Sequence, residues 1–398
     1  MHPTGLAETP SATTELRHNS ALDGIRGLAI LFVLARHLIV INDVTATPIY
    51  LIVRALRDSM FCGVDIFFAL SGFLITRILV QTLPDTHFFR NFYARRSLRI
   101  FPLYYGVLLL VFAFTPVYHI HWNGDQWRLL TYSNRLFEAR SPQPWNFYYG
   151  GYVSLVNFWS LHIEEQFYLL WPLCVFFLRT PKKLLILALS TSAVSLGLRF
   201  YLQFHGFNQP FLYTALITRF DSLLIGAALA LALRTRLHAL ALKLATPLFL
   251  TATLTFAVLF ALAHRADPGS FGNLFPLWFT LLATASTALV AMCLKPNSRT
   301  ARIFRSRFLR FFGRYSYGLY VFHSVLPMFY MKPMTDYTNV QIPNHAFGNV
   351  LNAVIELALA LGVSMLSYRY FEMPFLKLKR FFHPVPAIPT PAPETVAS

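Results

Sequence analysis

Leu22-Asp23-Gly24-Ile25-Arg26-Gly27-Leu28-Ala29-Ile30-Leu31-Phe32-Val33-Leu34-Ala35-Arg36-His37-Leu38-Ile39-Val40-Ile41 is the first long apolar stretch of the chain. It is long enough to cross a bilayer as a helix. A plain anchor would hold no ionisable groups there, because each is costly at membrane depth unless paired. Arg26 and His37 are eleven residues apart. At 100° per residue that separation is about 20° beyond three full turns, so both lie on one helix face, roughly 16 Å apart along the axis. A cation near one membrane surface and an imidazole near the other, on a single face, read as parts of a site.

The rest of the chain extends that reading. Of 398 residues, 56% are hydrophobic and only 13% charged, about half the charge of a soluble domain. Runs of spanning length fall near 22–41, 60–80, 100–116, 157–178, 184–202, 211–233, 245–264, 274–294, 311–331 and 347–371. The expected fold is all-α and polytopic, with about ten transmembrane helices. The third run is short and the sixth holds Arg219 and Asp221; for these two, a tilted or re-entrant segment is the alternative to a plain span. Of 34 Lys and Arg, 20 fall in the segments on the N-terminal side of the membrane and 7 on the other. The positive-inside rule then puts both termini in the cytoplasm.

The same rule accounts for the net charge of +17. No zinc, helix-turn-helix or single-strand-binding motif accompanies it, so no nucleic-acid partner is expected. Cys62, Cys174 and Cys293 have no metal-ligand spacing and read as packing residues; no metal is expected. The first twenty residues lack a basic start and no cleavage site follows, so the first span is not a removed signal peptide. The chain divides into a cytoplasmic tail (1–20), a membrane domain (21–376) and a basic, then Pro-rich, tail (377–398) expected to be disordered. The outer segment 117–156 is rich in Trp and Tyr. It suits an interfacial aromatic belt or a set of stacking platforms for a sugar.

Placed by depth, His37, Asp65, Glu164, Glu165, Arg219 and Asp221 gather in the outer half of the membrane, where a polar cavity open to the outside would need them. Arg219 and Asp221 are two apart, do not share a face, and are expected to pair with other helices. His323 reads most simply as a core histidine. At the inner end, Arg96 and Arg99 stand at i, i+3 on one face, where two planar forks can grip one anion. An ordinary positive-inside flank would look the same.

Seven stretches together carry a resemblance. They are LDGIRGLAILFVLARH (22–37), GVDIFFALSGFLIT (63–76), FYARRSLRIFPLYY (92–105), NFWSLHIEEQFYLLWP (157–172), RFDSLLIGAALA (219–230), FGRYSYGLYVFHSVL (312–326) and YRYFEMPFL (368–376). In this order they resemble the acyltransferase-3 family of integral membrane O-acyltransferases, across about 22–376. The resemblance implies a ten-helix enzyme of the bacterial inner (plasma) membrane. Such an enzyme moves an acyl group, commonly acetyl, from cytoplasmic acyl-CoA to a hydroxyl of an extracytoplasmic carbohydrate or glycoconjugate. It implies that Arg26 and His37 are required, and it ties Arg96 and Arg99 to coenzyme A. Ala69 and His162 stand where relatives often carry Val and Ser. Many relatives append an extracytoplasmic esterase-like domain, which is not expected here.

Acyl transfer to an alcohol needs a group that takes the hydroxyl proton. His37 is expected in that role, or as a transient acyl carrier, and the sequence leaves both open. Asp65 is the expected orienter of its ring. Glu164 and Glu165 are expected to bind acceptor hydroxyls or complete a proton relay, and Arg26 to hold the pantetheine arm or the diphosphate. The competing class is a glycan or lipid transporter or flippase, which would also place charges in broken helices. The oligomeric state is not legible.

Overall fold

A computed structural model describes residues 19–39, 48–122, 124–133, 148–149, 153–266, 272–295, 298–330, 333–334 and 345–382. Residues 1–18 and 383–398 of the tails, and 123, 134–147 and 150–152 of the aromatic segment 117–156, lie outside the described residues. The described residues are all-α apart from a two-residue antiparallel ladder, Tyr148–Tyr149 with Val153–Ser154. Its long helices are α1 (Ser20–Leu38), α2 (Pro48–Ser59), α3 (Cys62–Thr82), α4 (Phe88–Ala113), α5 (Phe158–Leu178), α6 (Pro181–Phe204), α7 (Leu216–Ala232), α8 (His238–Ala266), α9 (Phe275–Leu294), α10 (Arg307–Val325) and α11 (His345–Leu366). Within the described residues, each of the ten apolar runs is therefore mainly helical. Asn19 starts α1 by accepting from the Ala21 amide, a standard N-cap.

Among the described residues, seven helical stretches are long and apolar enough to cross a membrane: Leu51–Thr82, Phe88–Ala113, Pro181–Phe204, Gln209–Ala232, His238–Arg265, Phe275–Leu294 and Phe347–Phe381. The three expected spans outside that set are α1, α5 and α10. These three carry Asp23, Arg26 and Arg36, then Glu164 and Glu165, then Arg307, Arg310 and Arg314. Their polarity is the mark of the site, and they are packed among the others.

The helices differ from the sequence reading in three places. The third run begins earlier, at Phe88, so the helical face expected to carry Arg96 and Arg99 is continuous with the rest of α4. The sixth run breaks at Ala215, which is extended (φ −84°, ψ 137°), and not at its charges. Finally, α2 is an amphipathic helix preceding α3, with Leu51, Ile52 and Leu56 exposed on one side.

Two backbone crossings hold the centre. A Cβ on Gly27 would lie 1.9 Å from the Leu309 carbonyl oxygen, and one on Gly313 1.9 Å from that of Asp23, so α1 and α10 touch backbone to backbone. Gly72 and Gly226 make the same approach between α3 and α7, at 1.8 Å from the Leu223 oxygen and 2.0 Å from the Ala69 oxygen. Without a hydrophobic driving force between helices in lipid, small residues that permit such contact supply the packing. The glycines of the sequence motifs are thus the crossing points that bring the polar helices together.

Candidate active site

Buried charge is concentrated first in α7. Arg219 pairs with Asp65 of α3 at 2.7 Å, and Arg199 of α6 grips Asp221 bidentately at 2.7 and 2.6 Å; all four are fully buried. Ser222 adds a bond to Asp65 at 3.2 Å and Thr280 one to Asp221 at 2.6 Å. The Arg219 guanidinium is enclosed by aromatic rings, with Phe279 at 4.0 Å, Tyr213 at 5.3 Å and Trp159 at 5.9 Å. Two ion pairs thus lock α3, α6, α7 and α9 together. Arg219 and Asp221 pair with other helices, as their spacing predicts.

This network occupies Asp65, the expected orienter of the His37 ring. Its hydrogen-bond partners among the described residues are Arg219 and Ser222, not His37. Pairing with a fully buried guanidinium stabilises it more than a neutral imidazole would, so the ring of His37 is fixed by other means. His37 Nδ1 donates to the Val33 carbonyl one turn back at 2.7 Å. That assignment follows from the acceptor-only carbonyl, and it leaves Nε2 with its lone pair and without a hydrogen-bond partner among the described residues.

Beside His37 stands a residue that sequence reasoning set aside. The rings of His37 and His323 have centroids 5.1 Å apart. His323 is held at both nitrogens: Nδ1 donates to the Leu319 carbonyl at 2.9 Å, and Nε2 accepts from the Asn157 amide at 3.0 Å. Tyr320 donates to the Asn157 carbonyl at 2.8 Å, and its hydroxyl also bonds that of Ser160. Only the i, i+3 spacing of Tyr320 and His323 within the YSYGLYVFH stretch hinted at this cluster.

Ser160 and Tyr320 line a cavity that also takes in Arg26, Arg96, Arg99, Glu164 and Glu165. The two glutamates of α5 thus share a cavity with Arg26, Arg96 and Arg99, and His37 is not among its lining residues. Tyr168 mediates. Its hydroxyl donates to Glu164 at 3.2 Å and bonds Ser71, while the Arg96 guanidinium lies 5.1 Å from its ring centre. One oxygen of Glu165, Oε1, is buried with no partner among the described residues, an open acceptor.

Arg26 and Arg99 also border two further cavities at the arginine-rich end of the bundle. One, of about 1010 Å³, collects Arg77, Arg95, Arg96 and Lys379, with Asp23 the single carboxylate among its lining residues. The other, of about 1060 Å³, lies toward α10 and the C-terminal end of α11. His37 lines none of the three and is linked to the first through Tyr320, Asn157 and His323.

A bundle of apolar helices enclosing a basic vestibule, a carboxylate-lined cavity and an exposed imidazole defines an integral membrane enzyme for group transfer. The acyltransferase-3 domain pattern, described as an acyltransferase domain, matches residues 19–369, and the chain belongs to that family. It is 27% identical over 379 residues to the O-acetyltransferase OatA of Staphylococcus aureus (strain NCTC 8325 / PS 47), covering 91% of this chain and 58% of the relative. It is 27% identical over 377 residues to the peptidoglycan O-acetyltransferase OatA of Listeria monocytogenes serovar 1/2a (strain ATCC BAA-679 / EGD-e), covering 90% of this chain and 56% of the relative. A putative O-acetyltransferase of S. aureus (strain MSSA476) is 28% identical over 380 residues, with 91% and 58% covered. The chain thus spans less than two thirds of these relatives' length. No solved structure matches it.

Proposed function

We propose that this protein is an O-acyltransferase that moves an acyl group, in the first instance acetyl, from cytoplasmic acyl-CoA to a hydroxyl of an extracytoplasmic carbohydrate or glycoconjugate. On this reading it sits in the bacterial plasma membrane with both termini in the cytoplasm and ten helices spanning. The observation that carries the proposal is the cavity in which Arg26, Arg96 and Arg99 meet Glu164 and Glu165, tied by Ser160, Tyr320, Asn157 and His323 to His37.

The residues fit a coenzyme A thioester. Its phosphates suit the vestibule where Arg26, Arg77, Arg95, Arg96, Arg99 and Lys379 face one carboxylate, since guanidinium forks bind phosphate bidentately. When bound, the thioester supplies an activated acyl carbon. His37 Nε2 takes the acceptor hydroxyl's proton as its oxygen bonds the acyl carbon, the thioester C–S bond breaks, and the proton passes to the departing coenzyme A thiolate; alternatively Nε2 attacks first, releasing the thiol and carrying the acyl group until the acceptor oxygen displaces it. Both uses need the Nδ1–H tautomer that Val33 fixes. His323, held neutral by Leu319 and Asn157, supports the His37 ring. Glu164 and Glu165 sit along the donor's path, where the open oxygen of Glu165 is placed to accept from the donor's amides and Glu164 orients Tyr168 beneath Arg96.

Acyltransferase membership disfavours a transporter or flippase, and no observation favours one. The test is transfer of labelled acetyl from acetyl-CoA to a glycan acceptor by purified protein in liposomes. Label should appear on the acceptor with the native protein and not with His37→Ala. Equal labelling by a well-inserted His37→Ala protein would sink the assignment.

A further inference from the structure

The cavity of about 1060 Å³ toward the chain's C-terminal end is not needed by any step above, yet its walls are specialised. It is bounded by Arg310 and Arg314 of α10, by Tyr368 and Glu372, and by Arg26 and Arg99, which it shares with the vestibule. Tyr368 and Glu372 come from a π-helical turn, Ser367–Glu372. Such turns are rare and concentrate at functional sites. The local cause is Pro374, which has no N–H to continue the α register. The Met373 amide bonds the Tyr368 carbonyl, five residues back. The Arg314 guanidinium covers the Tyr368 ring at 5.1 Å, and the Tyr315 edge meets it at 5.5 Å. Glu372 is buried and accepts one hydrogen bond, from Ser367 at 3.2 Å.

We infer that this cavity receives the adenine end of the donor, a subsite that rests on the coenzyme A reading above. A stacked tyrosine and guanidinium present the planar surfaces on which nucleobases pile. A carboxylate beside them accepts from an exocyclic amine, the group adenine offers. Charge divides the two compartments accordingly. The vestibule, with six cations and one carboxylate, suits the phosphates. The second cavity, with four arginines, two carboxylates and two tyrosines, suits a base and its ribose. Arg26 and Arg99 stand where the two meet, so a diphosphate gripped there would leave the base on one side and send the pantetheine arm into the cavity with Glu164 and Glu165. The subsite would make the enzyme prefer a coenzyme A thioester over an acyl group on pantetheine alone.

The experiment compares acetyl-CoA with acetyl-pantetheine as donors, in the native protein and in Tyr368→Ala, Tyr368→Phe and Glu372→Ala. The ratio of kcat/KM for the two donors should fall about tenfold in Tyr368→Ala, the loss of one stacking platform. It should fall in Glu372→Ala too, and be retained in Tyr368→Phe. Adenosine 3′,5′-bisphosphate, which lacks the arm, should compete with acetyl-CoA in the native protein and weaken in Tyr368→Ala. Misfolding would lower both donors together and leave the ratio alone, so the ratio isolates the subsite. A native ratio in both Ala variants, with bisphosphate inhibition unaltered, overturns the inference while leaving the acyltransferase reading standing. A native protein that transfers from neither donor overturns both.

Discussion

His37 and His323 differ in what their nitrogens can do. Both ring Nδ1 atoms donate to a carbonyl four residues back, but Asn157 occupies Nε2 only in His323. His37→Ala should abolish transfer with normal membrane insertion. His323→Phe preserves a ring against His37 and should keep measurable turnover, whereas His323→Ala should lose most of it with donor KM little changed. Activity in a steady-state donor titration decides; a Phe variant as dead as the Ala variant would mean that His323 moves a proton. Arg96 and Arg99 were legible as a pair because i, i+3 spacing is local. Replacing both by Gln should raise the acetyl-CoA KM, and replacing both by Lys should restore only part of it, because the bidentate fork is lost. The partner of Asp65 was not legible. It is 154 residues away, and nothing in a depth estimate says toward which neighbour a side chain turns.

Helices as units explain what the composition showed and hid. Seven of the ten apolar runs were readable as helices long and apolar enough to cross a bilayer, because bilayer thickness fixes that length. Which of them adjoin was not, and that alone decides whether Glu164 faces Arg96 or His37. The α3–α7 pairing supplies a test. Asp65→Asn leaves the Arg219 charge uncompensated at a fully buried position, a loss of about 3–5 kcal/mol for breaking such a pair. The variant should therefore be defective in stability first, with lowered detergent thermal midpoint and yield. A normal melting profile with a large fall in turnover would return Asp65 to the chemistry. Gly313→Val should likewise separate α1 from α10 and disable transfer without touching a polar residue.

Across the molecule, the basic vestibule and the exposed imidazole lie toward opposite ends of α1. Donor and acceptor should accordingly enter from opposite faces. In sealed, oriented vesicles, acetyl-CoA on the arginine-rich side alone should acylate an impermeant acceptor present only on the other. Transfer that requires both on one side would contradict this arrangement even if the enzyme class held.

The close crossing of α1 with α10 also bears on how the protein is made. Gly27 and Gly313 are 286 positions apart. At about 5–20 residues per second, ribosomal synthesis separates their appearance by roughly 15–60 s. If the first helix spans the membrane as proposed, then throughout that interval Arg26 and its neighbour Asp23 lack the surface that will receive them. Their mutual bond at 3.2 Å is local and forms at once, so the nascent helix carries its own temporary neutralisation until its late partner arrives. A ribosome halted before the tenth helix emerges would leave a chain that is inserted, largely helical and without a site.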